Sequence, residues 1–352
     1  MNYRRFVSIV FGIVLLGIVV VGGLVVYIDP YFHYHKPRPE FYYNLNSQRY
    51  QNYGILKHFD YDAIITGTSM AENFKTSEFD EMFGVKSIKV PFSGATFKEI
   101  NDALKYGCMT KNNVRTVIRS LDMYSIIVDK NKMRTDLGTY PTYLYDDNLI
   151  NDMKYLFNKD VFVFNVFPML KNKVNGKHGG IKSFDDYSNW NKRFKFGRKY
   201  VLKGKKCVNE TKQKFFSKKD KKIVQDNIRM NVVELAKSRP ETKFYYFFPP
   251  YSVVWWANLN SNGNLKRTLD AERIAIEMIL ECPNIKLFSF NLVTDIVMNL
   301  DNYKDPIHYG EWINSDILRF MKNDIGLLTK ENYMDYLEKE RQLYLNYSYE
   351  DI

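Results

Sequence analysis

The chain has 352 residues, 45% of them apolar and 16% aromatic, enough to build a full core in one large domain with insertions or in two modest ones. Its three cysteines, Cys108, Cys207 and Cys282, are far apart and form no C-x-x-C pair, which argues against a disulfide framework or a zinc ribbon. The net charge of +11 is concentrated in one stretch: from Lys171 to Lys222 eighteen Lys or Arg face four acids, giving +14, so the rest of the chain sums to −3.

Arg4 and Arg5 precede Phe6 to Ile28, 23 residues without a charge. About 20 apolar residues in a helix span a bilayer. The run ends in Tyr27-Ile28-Asp29-Pro30 with no A-x-A cleavage pattern, so an uncleaved signal anchor is expected. The two arginines place residues 1–5 in the cytoplasm, residues 6–28 in the membrane as a single pass, and the remainder outside. Residues 29–58, polar and aromatic with Pro30, Pro37 and Pro39, read as a connector. His33 and His35 stand among Tyr31, Phe32 and Tyr34 and read as part of an interfacial aromatic belt.

Beyond the connector, apolar runs alternate with helical patterns. Tyr61–Ser69, Ser87–Gly94, Val114–Met123, Phe244–Phe248 and Ile285–Phe290 have the composition of strands. Thr76–Met82, Phe97–Tyr106, Ile223–Lys237 and Leu269–Leu280 have helical spacing. The alternation predicts an α/β fold, a three-layer α/β/α sandwich around a mainly parallel five-stranded sheet. Its domain would cover 59–325, interrupted by a basic insertion at about 130–222, with a helical tail over 326–352. The insertion is either a solvated excursion or a surface for polyanions such as lipid head groups and phosphate-bearing wall polymers. Topology makes nucleic acid a poor partner.

In an open parallel sheet, ligands bind beyond the carboxyl ends of the strands. The first strand closes with Gly67-Thr68-Ser69, the second with Ser93-Gly94, the third with Leu121-Asp122, and Asp305-Pro306-Ile307-His308 follows the fifth. A serine hydroxyl needs a base at neutral pH, and an imidazole held by a carboxylate supplies one. Ser69, His308 and Asp305 are therefore the candidate catalytic residues. The Ser69 and Gly94 backbone N–H groups are candidate donors to an oxyanion. No metal or other cofactor is expected.

These blocks, in this order, resemble the SGNH (GDSL-like) hydrolase superfamily over residues 59–325 without the insertion. Gly67-Thr68-Ser69 matches its nucleophile block, Gly94 its glycine block, and Asp305 with His308 its final D-x-x-H block. The resemblance implies a flavodoxin-like fold and acyl chemistry on Ser69. The third block departs: where the superfamily carries G-x-N-D, with Asn as an oxyanion donor, this chain has Ser120-Leu121-Asp122-Met123. Asp122 would fill the oxyanion position only if protonated. Otherwise it is structural, or another group supplies the third donor. The anchored, extracytoplasmic form resembles accessory proteins of surface-polymer acylation, such as the teichoic-acid D-alanyl-transfer and alginate O-acetylation proteins. That implies a cell-surface polysaccharide or teichoic acid as acceptor, and a membrane-bound O-acyltransferase as partner. The rivals are an esterase or lipase for small esters, and an inactive polymer-binding scaffold. Trp255 and Trp256, after the fourth strand, either line a substrate subsite or pack in the core. Trp190, beside Asp185 and Asp186, is a candidate glycan contact.

Overall fold

The computed structural model describes residues 3–111, 113–136, 139–181, 183–204, 206–207, 209 and 212–352. Lys182, Lys205 and Glu210 of the basic stretch fall outside them. The chain divides into two compact units, one of residues 1–59 with 137–183, the other of residues 60–136 with 184–352. The stretch expected as one insertion is thus shared between the units. The expected tail over 326–352 belongs to the second unit.

In the first unit, Tyr3–Ile28 is one helix long and apolar enough to cross a membrane. Its earlier turns are exposed, while Gly22, Val25 and Ile28 are buried. The chain then turns at Asp29, whose carboxylate accepts the backbone N–H groups of His33, Tyr34 and His35 and the Tyr155 hydroxyl. His33 is not an exposed belt residue: it is buried with Nε2 2.9 Å from Asp152 Oδ1. A carboxylate more than a hundred residues away claims the imidazole, and local composition cannot show that.

The second unit is built on a sheet of β1 (Ala63–Gly67), β2 (Ser87–Pro91), β3 (Thr116–Ser120), β4 (Lys243–Phe248), β5 (Ile285–Ser289) and β6 (Leu327–Leu328), in the order β2-β1-β3-β4-β5-β6. All neighbours are parallel except β5 and β6. The sheet has six strands, not five. The extra one is two residues long, too short to carry a legible period, and it reaches β5 through a turn at Gly326 with φ +78°. Helices cover both sides, and β1, β2 and β3 are buried along their full length, as strands of a covered parallel sheet must be. The strand order reverses at β1, so the crevice between the ends of β1 and β3 is the topological switch point.

Local chemistry sets the helix ends. Thr96 and Glu99 form a capping box for Phe97–Thr110, and Ser217 and Asp220 one for Lys218–Ile228. The latter helix starts five residues before the expected Ile223, because the Ser217 side chain captures the Asp220 N–H. The tail helix Tyr333–Leu345 packs through Tyr344, whose ring stacks on Trp256 at 3.8 Å. Trp256 is fully buried and Trp255 7% exposed, so both tryptophans belong to the core and neither offers a ring face as a subsite. They lie in the helix Val253–Ser261, whose first turns are apolar all round.

Under the tail, Glu272 and Glu340 are both fully buried and share the Asn291 amide, 2.8 Å from Glu340 and 3.4 Å from Glu272. Burial pushes both carboxyls up, Glu340 to about 7, and the Glu340 charge raises Glu272 further. The native state therefore keeps protons that the unfolded chain releases above about pH 4.5. Stability is expected to fall as pH rises from about 4.5 through about 7, by at most about 1.4 kcal/mol per pH unit for each carboxyl. Thermal denaturation of wild type and Glu272→Gln across pH 5–8 checks this. The variant should show the shallower slope, and parallel curves would refute the assignment.

Candidate active site

The segments after all five parallel strands meet at the carboxyl edge of the sheet. After β1, Thr68 caps the short 3-10 turn Ser69–Ala71, its hydroxyl accepting the Met70 N–H. The turn sets Ser69 half-buried at its start. Helix Glu311–Lys322 steadies it from the other side, the Asn314 side-chain amide donating to Met70 O at 3.0 Å.

After β5, the segment from Tyr303 to Tyr309 closes on itself, Lys304 N donating to His308 O at 3.0 Å. The loop following β4 clamps it: the Ser252 hydroxyl donates to Pro306 O at 2.8 Å and the Tyr303 hydroxyl to Pro250 O at 2.7 Å. Within it, Asp305 Oδ1 accepts the backbone N–H groups of Ile307 and His308, both at 2.9 Å. This local turn is why a D-x-x-H spacing brings both side chains to one side.

The side chains then line up. His308 Nδ1 lies 2.9 and 2.8 Å from the two Asp305 oxygens, and His308 Nε2 lies 2.8 Å from Ser69 Oγ. Two carboxylate oxygens around Nδ1 hold the ring proton there, so Nε2 is the nitrogen that accepts from Ser69. Burial pushes the Asp305 carboxyl up, but the His308 ring and the two backbone donors outweigh it and bring it down to about 2. Asp305 is therefore ionised across the whole working range of a protein. Ser69, His308 and Asp305 thus stand within hydrogen-bond reach, although 239 residues separate the first two.

Gly94 lies three residues beyond Pro91, which pairs with Gly67 across the β1–β2 ladder. Its φ is +62°, a left-handed backbone that favours glycine, and a side chain there would have to displace the Arg134 guanidinium. Arg134 closes that flank, its Nη1 donating to Ser93 O at 3.0 Å and its Nε to Asp136 at 2.7 Å. Among the described residues, neither the Ser69 nor the Gly94 backbone N–H has an intramolecular acceptor, which leaves both free for an oxyanion.

Asp122 is fully buried beneath this edge. Its Oδ2 accepts the hydroxyls of Thr68 at 2.9 Å and Ser120 at 3.1 Å, and its Oδ1 the hydroxyl of Tyr251 at 2.5 Å. Burial pushes its carboxyl up, and those three hydroxyls pull it back. The Ser120 oxygen in turn accepts the Thr68 N–H. Asp122 therefore ties the ends of β1, β3 and β4 together, and both of its oxygens are already in use. Asp122→Asn is expected to lower stability by about 1–3 kcal/mol, because an amide nitrogen cannot accept from a hydroxyl. An unchanged denaturant midpoint would rule that out.

Trp190 belongs to the site as a wall. It is 8% exposed, its ring meets His308 edge-on at 5.5 Å, and Lys304 Nζ covers it at 4.1 Å. Phe194 and Trp312 extend this wall into solvent, 50% and 40% exposed, with Phe196 stacked on Trp190 and edge-on to Trp312. Sequence reasoning did not find Lys304, Phe194, Phe196, Trp312, Arg134 or the hydroxyl set around Asp122. Lys304 alone carried a signal, since it precedes Asp305. Compared with family models, with curated proteins and with solved structures, the chain matches none.

Proposed function

We propose that the protein is a membrane-anchored serine acyltransferase or esterase of SGNH type, working outside the cytoplasmic membrane on a cell-surface polysaccharide or teichoic acid. The observation that carries this reading is the continuous line from Asp305 through His308 to Ser69, with contacts of 2.8 Å at both junctions. In the first step His308 Nε2 takes the Ser69 proton as Oγ bonds to the acyl carbon. The oxyanion forms against the Ser69 and Gly94 N–H groups. The donor oxygen or nitrogen then leaves with the proton from His308, and the acyl group remains on Ser69. A polymer hydroxyl, or water, gives its proton to His308 and takes the acyl group, and His308 passes that proton to the departing Ser69 Oγ.

A polymeric acceptor is favoured over a small ester by the exposed aromatic edge beside His308. Phe194 and Trp312 suit sugar rings, and Lys304 lies 3.8 Å from the Phe194 ring. The triad geometry argues against an inactive scaffold. Treating the full chain with a fluorophosphonate and mapping the adduct by mass spectrometry tests the reading: the adduct should sit on Ser69. No adduct, or an adduct elsewhere, would overturn it. Acyl transfer to added polymer at a rate above hydrolysis would separate transferase from esterase.

A further inference from the structure

The first unit carries an apolar surface that a water-facing protein has no reason to keep. Residues 159–174 form one continuous helix through a π turn. Its inward side, with Val161, Val166 and Met169, is buried. Its outward side carries Phe164 and Phe167, 70% and 59% exposed, and Ile150, Met153 and Phe157 are exposed in the segment before it. A helix at a water surface has a polar stripe on its outer side; one that is apolar on both sides needs a second apolar cover.

The neighbouring anchor helix indicates what that cover is. The π turn Phe162–Val166 packs on the helix Tyr3–Ile28. Phe157 ring carbons lie 3.4 Å from where a side chain on Gly22 would begin. With Tyr3, Arg4 and Arg5 on the inner side, the uncharged part of the anchor helix is Phe6–Ile28, 23 residues. At about 1.5 Å per residue that is about 35 Å, against a hydrocarbon core of about 30 Å, a surplus of about 5 Å. Gly22 stands six residues, about 9 Å, before the helix end. Phe157 is therefore held just inside the acyl region, below the head groups. Lys154 and Lys159 flank Phe157 in sequence and are exposed, as are Lys171 and Lys173 at the far end of the helix. Lysine stems of that length lie along apolar surface while their ammonium groups reach phosphates.

We propose that Ile150, Met153, Phe157, Phe164 and Phe167 form a second membrane contact, a monotopic platform seated in the same leaflet that the anchor helix leaves. The occupant is the lipid bilayer: apolar side chains enter the upper acyl region and the lysines meet anionic head groups. Two contacts fix the tilt and rotation of this unit at the membrane, which a single helix leaves free. The inference rests on reading Tyr3–Ile28 as a membrane span.

The test uses the full chain with Cys207→Ser, since Cys108 and Cys282 are buried. Single cysteines at Phe164, Leu16 or Met334 are spin-labelled after dilute reconstitution in vesicles of phosphatidylcholine and phosphatidylglycerol. The label's relative accessibility to oxygen and to a water-soluble nickel chelate is then read. At Phe164 and Leu16 the oxygen-to-nickel ratio should be several-fold above that at Met334, which is exposed on the tail helix. A Phe164 ratio equal to that of Met334, with Leu16 still in lipid, would overturn the platform and leave the anchor standing. An aqueous Leu16 would remove the anchor and the platform with it. Protection of Phe164 from both reagents, with broadening that grows with protein density, would mean that a second copy covers the face, and would also overturn the proposal. The same reading at Phe167 guards against a distortion peculiar to one site.

Discussion

Ser69→Ala is expected to abolish fluorophosphonate labelling and to lower kcat for ester cleavage by about 10^6 while leaving the fold intact. The fold should survive because Ser69 Oγ is half-buried and its partner is His308 Nε2, itself half-buried and able to take a water instead. Surface-type changes of this kind stay within about 0.5 kcal/mol. Activity should collapse because no other described side chain is hydrogen-bonded to His308 Nε2. A residual rate above water is expected, since the free Ser69 and Gly94 N–H groups still meet the oxyanion. The double variant Ser69→Ala, His308→Ala should be no slower than Ser69→Ala alone, because the two act as one unit. Steady-state turnover of p-nitrophenyl acetate checks both statements. A double variant slower than the single by the full cost of each would show two independent contributions and refute the shared line.

What could be read from the sequence followed from how local each cause is. The five main strands were legible because β1, β2, β3 and β5, five residues each, and β4, six residues, are mostly apolar, aromatic or β-branched runs punctuated by Gly, Pro or polar turns. Ser69, Asp305 and His308 were legible because strand ends converge in this topology and because the Asp305 turn is three residues long. The sixth strand was not, since two residues carry no alternation. Asp122 was seen as a departure from a pattern. Its role depends on Thr68, Ser120 and Tyr251, hydroxyls that come from three strand ends and share no sequence window. Lys89 illustrates the same limit. It sits inside an apolar strand, fully buried, because its ammonium donates to the carbonyls of Glu72, Phe74 and Asp185. The partition of the basic stretch between two units was also hidden, because charge density does not record which neighbour a segment packs on. Phe164 and Phe167 lie in and beside the π turn Phe162–Val166, which shifts the 3.6-residue period by which an amphipathic helix is read.

Asp305→Asn separates an orienting carboxylate from a merely nearby one. The loop should persist, because the Asn carbonyl can still accept the Ile307 and His308 N–H groups that Asp305 Oδ1 accepts now. What changes is the contact with His308 Nδ1. Asp305 offers that nitrogen two acceptors and no donor. An amide offers a donor as well, so the ring can take the other tautomer, with its proton on Nε2 facing Ser69 Oγ. In that state the imidazole cannot accept the serine proton, and the imidazolium formed during the reaction loses its counter-charge. The expected fall in kcat is about 10^4, with KM little changed, since no binding contact is removed. With its carboxyl held at about 2, Asp305 should add no inflection to the wild-type pH–rate profile anywhere above about pH 4. Lys304, 3.9 Å from Asp305 Oδ2, reinforces that ionised state. If Asp305→Asn kept kcat within tenfold of wild type, the carboxylate would be holding the loop and not the tautomer. His308 would then have to be oriented by its edge-on contact with Trp190, and Trp190→Ala would become the variant with the larger loss.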